Sequence, residues 1–211
     1  MAITSVGYER AITYAELGSL IAHAGATYSV SGDASSFAVA VEDASTQILV
    51  RPGVAYGCGI IDTSDSIVTL TGTPPATGDR WDLVALRRDW AAKTSTPVLI
   101  AGGPTMTIPN RNTEPGVLDD QPLALIRYSA GQAGPVTVRN LRVWRGSGGC
   151  FARDLLVRDY HTEIGTRIYI SDRTYVLILD GIGQPKWVTD SVIFSTTQPS
   201  PADVPWLQIP A

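Results

Sequence analysis

Pairs of neighbouring carboxylates are the residues of this sequence that could most directly support hydrolysis. The pairs are Asp119 with Asp120, Glu42 with Asp43, and Asp62 with Asp65. A glycoside hydrolase needs two carboxyl groups about 5–10 Å apart across the bond that it cleaves. Each pair falls in a predicted turn, where aspartate is favoured because its side chain hydrogen-bonds the nearby backbone. We therefore interpret the pairs as turn residues and predict no catalytic residues.

Histidine and cysteine are too few to predict a metal or nucleotide site. His23 and His161 are the only histidines, and Cys58 and Cys150 are the only cysteines. The sequence has no phosphate-binding loop, Gly-x-Ser-x-Gly, His-Glu-x-x-His or Cys-x-x-Cys motif. His161 and Glu163 could share one face of a strand, but no third ligand accompanies them. We predict no metal, no cofactor and two buried free thiols.

A cluster of charged and aromatic residues lies between positions 80 and 90. It consists of Arg80, Asp82, Arg87, Arg88, Asp89 and Trp90. On a β-strand, alternation places Asp82, Arg88 and Trp90 on one face. Because arginine and tryptophan are enriched among interface anchors, Arg88 and Trp90 are candidate subunit contacts. The alternative interpretation is an ion-pair cluster that closes the end of a β-sandwich.

The other candidate contacts lie in the last quarter of the chain. Aromatic faces with polar edges suit sugar stacking, and Trp187 and Trp206 are better candidates for this role than Trp81. Trp206 and Leu207 belong to the proline-rich stretch Gln198–Pro210, which is predicted to be extended and not to form sheet. We expect this apolar tail to dock on a neighbouring protomer.

The composition is that of a globular chain with no electrostatic signature for nucleic acid. Its 211 residues are 44% hydrophobic, enough for one large or two small domains. The net charge of -4 gives no basic face for a polyanion, so nucleic acid is not an expected partner. Neither a signal-peptide pattern nor a run of about 18 apolar residues is present, so we expect no standard export and no membrane insertion.

Hydrophobic periodicity predicts one helix followed by strands. Thr13 and Glu16 form a capping box at the start of a helix over residues 13–24, and Leu17, Leu20 and Ile21 follow at helical spacing. After Gly25 the period is two. The predicted strands are Tyr28–Val30, Phe37–Val41, Ile48–Val50, Val54–Ile61, Ser66–Thr71, Arg80–Arg88, Thr96–Ile100, Pro122–Ser129 and Thr137–Trp144. This succession favours a sandwich or barrel, and we predict a mostly β fold with an antiparallel β-sandwich.

Two predicted strands are apolar on both faces, which places them at the centre of the fold. They cover residues 81–86 and 122–126, with Pro122 tolerable only at the start of its strand. The glycine-rich run Gly146–Gly149 predicts a boundary between a helix-plus-sandwich domain, residues 1–145, and a small β domain, residues 146–211. In the second domain we predict a hairpin over residues 166–180, a third strand around Trp187 and the extended tail.

Several segments follow one another in a distinctive order. They are Ile3–Tyr8, Val50–Gly57, Asp79–Trp90, Asp120–Ile126, Leu141–Trp144 and Gly148–Gly149. Over residues 3–190 this succession resembles the framework of minor tail proteins of long-tailed phages that infect actinobacteria. These proteins are broadly similar to baseplate and fibre-attachment modules of other tailed phages. Order and spacing support the resemblance more than any single segment does.

The resemblance implies a β-sandwich with a short helix near its start, no catalytic residues and no cofactor. It also implies a virion component that is assembled in the host cytoplasm, contacts other phage tail proteins and supports host adsorption. We expect a homo-oligomer, with a homotrimer as the specific prediction. Two alternatives stay open: a module within residues 146–211 that binds a host cell-envelope glycan, and a wall-degrading hydrolase that uses Asp119 or Asp120.

Overall fold

A computed structural model describes residues 11–23, 28–41, 45–146 and 149–189, together with the backbone of Ile193–Ser195 and Trp206–Gln208. Strands account for 51% of the residues and helix for 9%, which confirms the predicted mostly β, sandwich-like fold with one helix near its start. The chain divides into two compact units, Met1–Arg142 and Val143–Ala211.

The helix α1 covers Tyr14–His23 and begins at the predicted capping box. The backbone N–H of Thr13 donates to Glu16 Oε2 at 3.0 Å, and the N–H of Glu16 donates to Thr13 Oγ1 at 3.2 Å. These reciprocal bonds satisfy two backbone donors that have no partner within the helix. The box therefore fixes the start of α1 one residue after Thr13.

The predicted apolar face of α1 is wrong for Leu17 and Leu20, which are 38% and 47% exposed. Ile21 is half-buried, and Gly18 is the buried residue of the helix. Within the first unit the helix packs closely against Trp90 through Gly18, since a Cβ at this position would lie only 2.9 Å from Trp90 Nε1. A glycine that weakens the helix locally is thus the residue that lets it pack closely.

Eleven strands of the first unit lie in the part of the chain that the structure describes. They are β1 Tyr28–Ser31, β2 Val39–Val41, β3 Gln47–Val50, β4 Gly53–Gly57, β5 Ile60–Ser64, β6 Val68–Thr71, β7 Asp79–Asp89, β8 Thr94–Ile100, β9 Thr113–Glu114, β10 Leu118–Ser129 and β11 Pro135–Asn140. One sheet has the order β11-β10-β7-β8, with β9 also paired to β10. A second has the order β2-β3-β6, and a third group the order β1-β4-β5. All these pairs are antiparallel.

Strands β7 and β10 are the two central strands of their sheet, as predicted. Residues 81–86 of β7 and 119–126 of β10 are buried without interruption. Pro122 does not begin its strand, however, but lies in the middle of β10 beside a register shift between Pro122 and Ala124. A bulge of this kind accommodates a residue that has no N–H for the ladder. The strand therefore starts earlier than predicted and includes Asp119 and Asp120.

The predicted strand Val54–Ile61 is a hairpin instead of one continuous strand. β4 and β5 are joined at Cys58 and Gly59, whose φ angles are 51° and 83°. Two consecutive residues with positive φ form the type I′ turn that suits a two-residue hairpin. The turn reverses the chain and places Asp62 on β5, beside β4.

The second unit contains a sheet segment with the order β12-β13-β14-β15-β16. The strands are β12 Val143–Gly146, β13 Gly149–Ala152, β14 Arg167–Ile170, β15 Arg173–Leu179 and β16 Pro185–Thr189. β13 and β14 are parallel and are connected through a 3-10 turn at Leu155–Asp159, whereas the other neighbours are antiparallel. The predicted hairpin over residues 166–180 and the third strand around Trp187 are confirmed.

One prediction about the end of the second unit needs correction. Gly146 pairs with Gly149 across β12 and β13, and the two compact units divide after Arg142, close to the predicted boundary after residue 145. Trp206–Gln208 forms strand β18, parallel to β17 at Ile193–Ser195, so the prediction that the tail forms no sheet is wrong for these residues. The triplet contains no proline, and all its backbone donors are therefore available for pairing. The other residues of Gln198–Pro210 lie outside those described.

Candidate functional site

Arg88, a predicted candidate contact, lies in the interior of the first unit. Its side chain is 1% exposed and contacts Asp62 Oδ2 through Nε at 2.8 Å and Nη2 at 2.7 Å. Nη2 also donates to Gln121 Oε1 at 2.6 Å. Gly57 lies directly against the guanidinium, where any side chain would collide with it. This arrangement favours the ion-pair interpretation of Arg88 over a subunit contact.

Asp119 lies on the same face of β10 as Gln121 and is fully buried. The hydroxyl of Tyr28 donates to its Oδ1 at 2.6 Å, and Arg111 Nη1 donates to the Tyr28 oxygen at 3.0 Å. The carboxylate is also 3.9 Å from Arg88 Nη1. Burial raises the pKa of Asp119 above its usual value, although the Tyr28 hydrogen bond and both arginines oppose this effect.

Cys58 lies beside this carboxylate, with Sγ 3.9 Å from Asp119 Oδ2. Burial and then the nearby negative charge raise the pKa of the Cys58 thiol to about 12. Because the thiolate is the nucleophilic form of cysteine, this thiol is unreactive at neutral pH. Cys58 is a buried free thiol, as predicted, whereas Cys150 is only half-buried.

Asp120 lies on the opposite face of β10 and has different partners. Arg87 donates to its two oxygens at 2.7 and 3.1 Å, and Asn112 donates through its backbone N–H at 3.0 Å and its side-chain amide at 2.7 Å. Burial alone would raise the pKa of Asp120, but these hydrogen bonds lower it. Asp119 and Asp120 therefore do not face a common substrate position, as the two carboxylates of a glycosidase must.

Of the other carboxylate pairs, Asp62 and Asp65 are described, and they do not share a site. Asp62 lies on β5 and is held by Arg88, whereas Asp65 is exposed. Glu42 and Asp43 lie outside the described residues. His161 is 2% exposed, with its ring centroid 4.6 Å from that of Tyr160. Within the described ranges, no three His, Cys, Asp or Glu side chains are grouped as metal ligands, and no helix is long and apolar enough to cross a membrane.

Trp90, the second predicted contact of the first unit, is half-buried and lines a cleft of about 200 Å³. Tyr14, Ile60 and Lys93 lie along the same cleft. Its walls are mainly apolar, and Lys93 and Asp89 both line it, so the cleft could accept an apolar group.

Trp187 and the tail residues have separate positions in the second unit. Trp187 is half-buried on β16, and its Nε1 donates to the carbonyl of Arg158 at 3.3 Å. This bond gives Trp187 a structural task, which is to hold β16 to the 3-10 turn. Trp206 and Leu207 lie on β18, and because their side chains are not described, their predicted contacts stay predictions.

The second unit also carries a line of aromatic residues that the sequence analysis did not identify. Trp144, Phe151 and Tyr169 occupy paired positions on β12, β13 and β14, and we call them the aromatic row. Ring centroids are 5.8 Å apart between Trp144 and Phe151 and 6.1 Å apart between Phe151 and Tyr169. Phe151 and Tyr169 are 38% and 44% exposed. The row is thus an accessible aromatic surface that crosses three strands.

The alternation of buried and exposed residues along the strands could have identified this row from the sequence. On β14, Ile168 and Ile170 are buried while Tyr169 is exposed, and on β13 Ala152 is buried while Phe151 is exposed. An exposed aromatic residue at the outward position of each neighbouring strand indicates a surface with a function beyond core packing. The pattern was hidden because β13 follows the glycine-rich run that we interpreted as a linker.

Comparisons of this chain with protein-family models, with curated proteins and with solved structures found no match.

Proposed function

We propose that this protein is a non-enzymatic structural component of a phage distal tail, at the baseplate or fibre base, where it supports host adsorption. The proposal starts from the resemblance of its ordered segments to minor tail proteins of actinobacterial phages. It assigns no catalytic residue and no cofactor to the chain. Its expected partners are other tail proteins and further copies of itself.

One observation supports this proposal above the others: the three main resembling segments meet at a single buried cluster. Gly57 ends the first segment, Arg88 belongs to the second and Gln121 to the third. Gly57 lies against the Arg88 guanidinium, which donates to Gln121 at 2.6 Å. The residues that carry the resemblance are therefore those that hold the interior of the first unit in one arrangement.

A tail protein must keep its shape while it holds its neighbours in register. Ion pairs with a buried partner favour one packing of the surrounding strands, because any shifted packing leaves a buried charge without its partner. In the first unit, Arg88 pairs with Asp62 and Arg87 with Asp120, and each pair joins different strands. This arrangement suits a rigid framework better than a site that must open to substrate.

The location of the protein in virions tests this proposal. We expect antibody-labelled virions to show label at the tail tip in electron micrographs, and mass spectrometry of purified particles to detect the chain in stoichiometric amounts. Labelling of an abundant capsid protein is the positive control. Absence of the chain from purified virions would contradict a structural role.

A second candidate function is glycan binding by the second unit, and the aromatic row favours it. Exposed aromatic rings can stack on the apolar faces of sugars. A structural tail protein can also be the one that touches the cell envelope, so the two functions are compatible. We expect the purified protein to bind whole host cells, and loss of this binding after the cell-surface glycans are oxidised with periodate would support the glycan as the ligand.

A further inference from the structure

We infer that the aromatic row is a sugar-stacking surface, and that its ligand is a polysaccharide chain lying across β12, β13 and β14. This inference rests on the second candidate function and names the residues and the ligand class. The rings of Trp144, Phe151 and Tyr169 form one continuous line, since the successive centroid distances are 5.8 and 6.1 Å. The row therefore runs perpendicular to the strands, with interplanar angles of 52° between Trp144 and Phe151 and 27° between Phe151 and Tyr169.

The surface next to the row is open. Gly146 and Gly149 project to the same side as Trp144 and Phe151, because each lies two positions along its strand. Apart from residues adjacent in the chain, a Cβ at either glycine would have no neighbour within 4 Å. The two glycines thus add no side chain of their own beside the aromatic row, and a sugar ring can approach their backbone.

Polar groups border this space. Arg167 is exposed and lies two positions before Tyr169 on β14, so it projects to the same face. A guanidinium can donate to sugar hydroxyls or to a uronate carboxylate. At the other end, the Arg153 guanidinium carbon lies 5.7 Å from the Trp144 ring centroid, a cation–π contact that holds this ring in position. Apolar rings match the C–H faces of a pyranose, and the neighbouring hydrogen-bond donors match its hydroxyl groups.

Two other ligand classes fit the row less well. A peptide that adds to a sheet needs a free strand edge, but β13 is paired on both sides, with β12 and with β14. Single-stranded nucleic acid also stacks on aromatic side chains, but its sites follow a positively charged groove. Residues 143–211 contain six basic and seven acidic residues, so the unit offers no such excess of positive charge.

Glycan-array binding of the full-length chain tests the inference. The array should span hexose, pentose, amino-sugar and uronate polymers, with single-stranded oligothymidine as the nucleic-acid probe. We expect Phe151→Ala and Tyr169→Ala each to weaken binding of the best glycan by roughly tenfold, which corresponds to the loss of one buried apolar contact. Gly146→Val should weaken it similarly, because the added side chain fills the open space while all three rings remain.

The matched control is Leu179→Ala, which removes a 52% exposed apolar side chain on the opposite face of the same sheet and should leave binding unchanged. Circular dichroism of every variant distinguishes lost binding from lost folding. If the wild-type chain binds no glycan on the array, the second candidate function and this inference both fail. Glycan binding that persists in Phe151→Ala, Tyr169→Ala and Gly146→Val overturns the inference alone, and binding of oligothymidine in preference to every glycan overturns the ligand class.

Discussion

At the scale of single residues, three arginine–aspartate pairs of the first unit differ in how deeply they are buried. Arg88 and its partner Asp62 are 1% and 8% exposed. Arg87 and Arg80 are 33% and 27% exposed, although their partners Asp120 and Asp82 are buried. Breaking a buried pair by removing one partner leaves an uncompensated charge in the interior. The exposure of the arginine therefore predicts how severe its loss will be.

Arg88→Met tests the most buried of these pairs. We expect the free energy of unfolding to fall by about 3–5 kcal/mol, because Asp62 and Gln121 lose their partner while water stays excluded. Urea denaturation followed by tryptophan fluorescence measures the change. The control is Arg127→Met on β10, whose pair with Asp79 is 37% and 44% exposed and should cost less than about 1 kcal/mol. Equal losses in the two variants would argue against the buried cluster as the main stabilising feature.

Asp119 and Asp120 should affect the pH dependence of stability with opposite sign. The raised pKa of Asp119 means that the native state binds more protons than the unfolded state above about pH 4, so this residue makes stability fall as pH rises through its native pKa. The lowered pKa of Asp120 makes stability fall as pH drops below about pH 4.

Asn replacements separate these two contributions. We expect Asp119→Asn to make the unfolding free energy rise more steeply with pH above about pH 4, and Asp120→Asn to flatten its rise below that value. Urea denaturation at intervals between about pH 3 and pH 7 gives both slopes. The same change of slope in both variants would show that burial does not control Asp119.

At the scale of elements, α1 shows how a helix can pack through its least typical helical residue. Alanine favours helix over glycine by about 1 kcal/mol, so Gly18→Ala would stabilise an isolated helix. In this protein we expect it to destabilise the fold, because the new Cβ would lie within about 3.0 Å of three atoms of the rigid Trp90 indole. Thermal unfolding measures the effect, with Leu17→Ala as the control on the exposed face. A stabilised Gly18→Ala variant would show that the contact with Trp90 relaxes easily.

At the scale of the whole molecule, the chain has two compact units and no described segment long enough to form a coiled coil. Exposed strand edges are ready sites for contacts between copies of a chain. We expect the purified chain to form a homo-oligomer, with three copies as the specific prediction. Light scattering coupled to gel filtration measures its mass, and a monomer across a range of concentrations would contradict the predicted assembly.

The sequence by itself determined the secondary-structure class and the most buried strands. The period of two is visible because each half-buried strand must alternate its side chains, and the two-sided apolar runs of β7 and β10 identify the strands that are covered on both faces. The capping box of α1 was also predictable, because its donors and acceptors are only three residues apart in the chain. Local geometry alone decides all of these features.

Only the tertiary structure decided which residues become partners. Asp119 and Asp120 had the sequence pattern of a turn, but pairing with β7 places them in a strand, where one meets Tyr28 and the other Arg87. The buried face of α1 depends on Trp90, and the aromatic row exists because β12, β13 and β14 lie side by side. These contacts join residues that are distant in the chain. Local propensity does not predict these contacts, because their energy comes from neighbours that only the fold brings together.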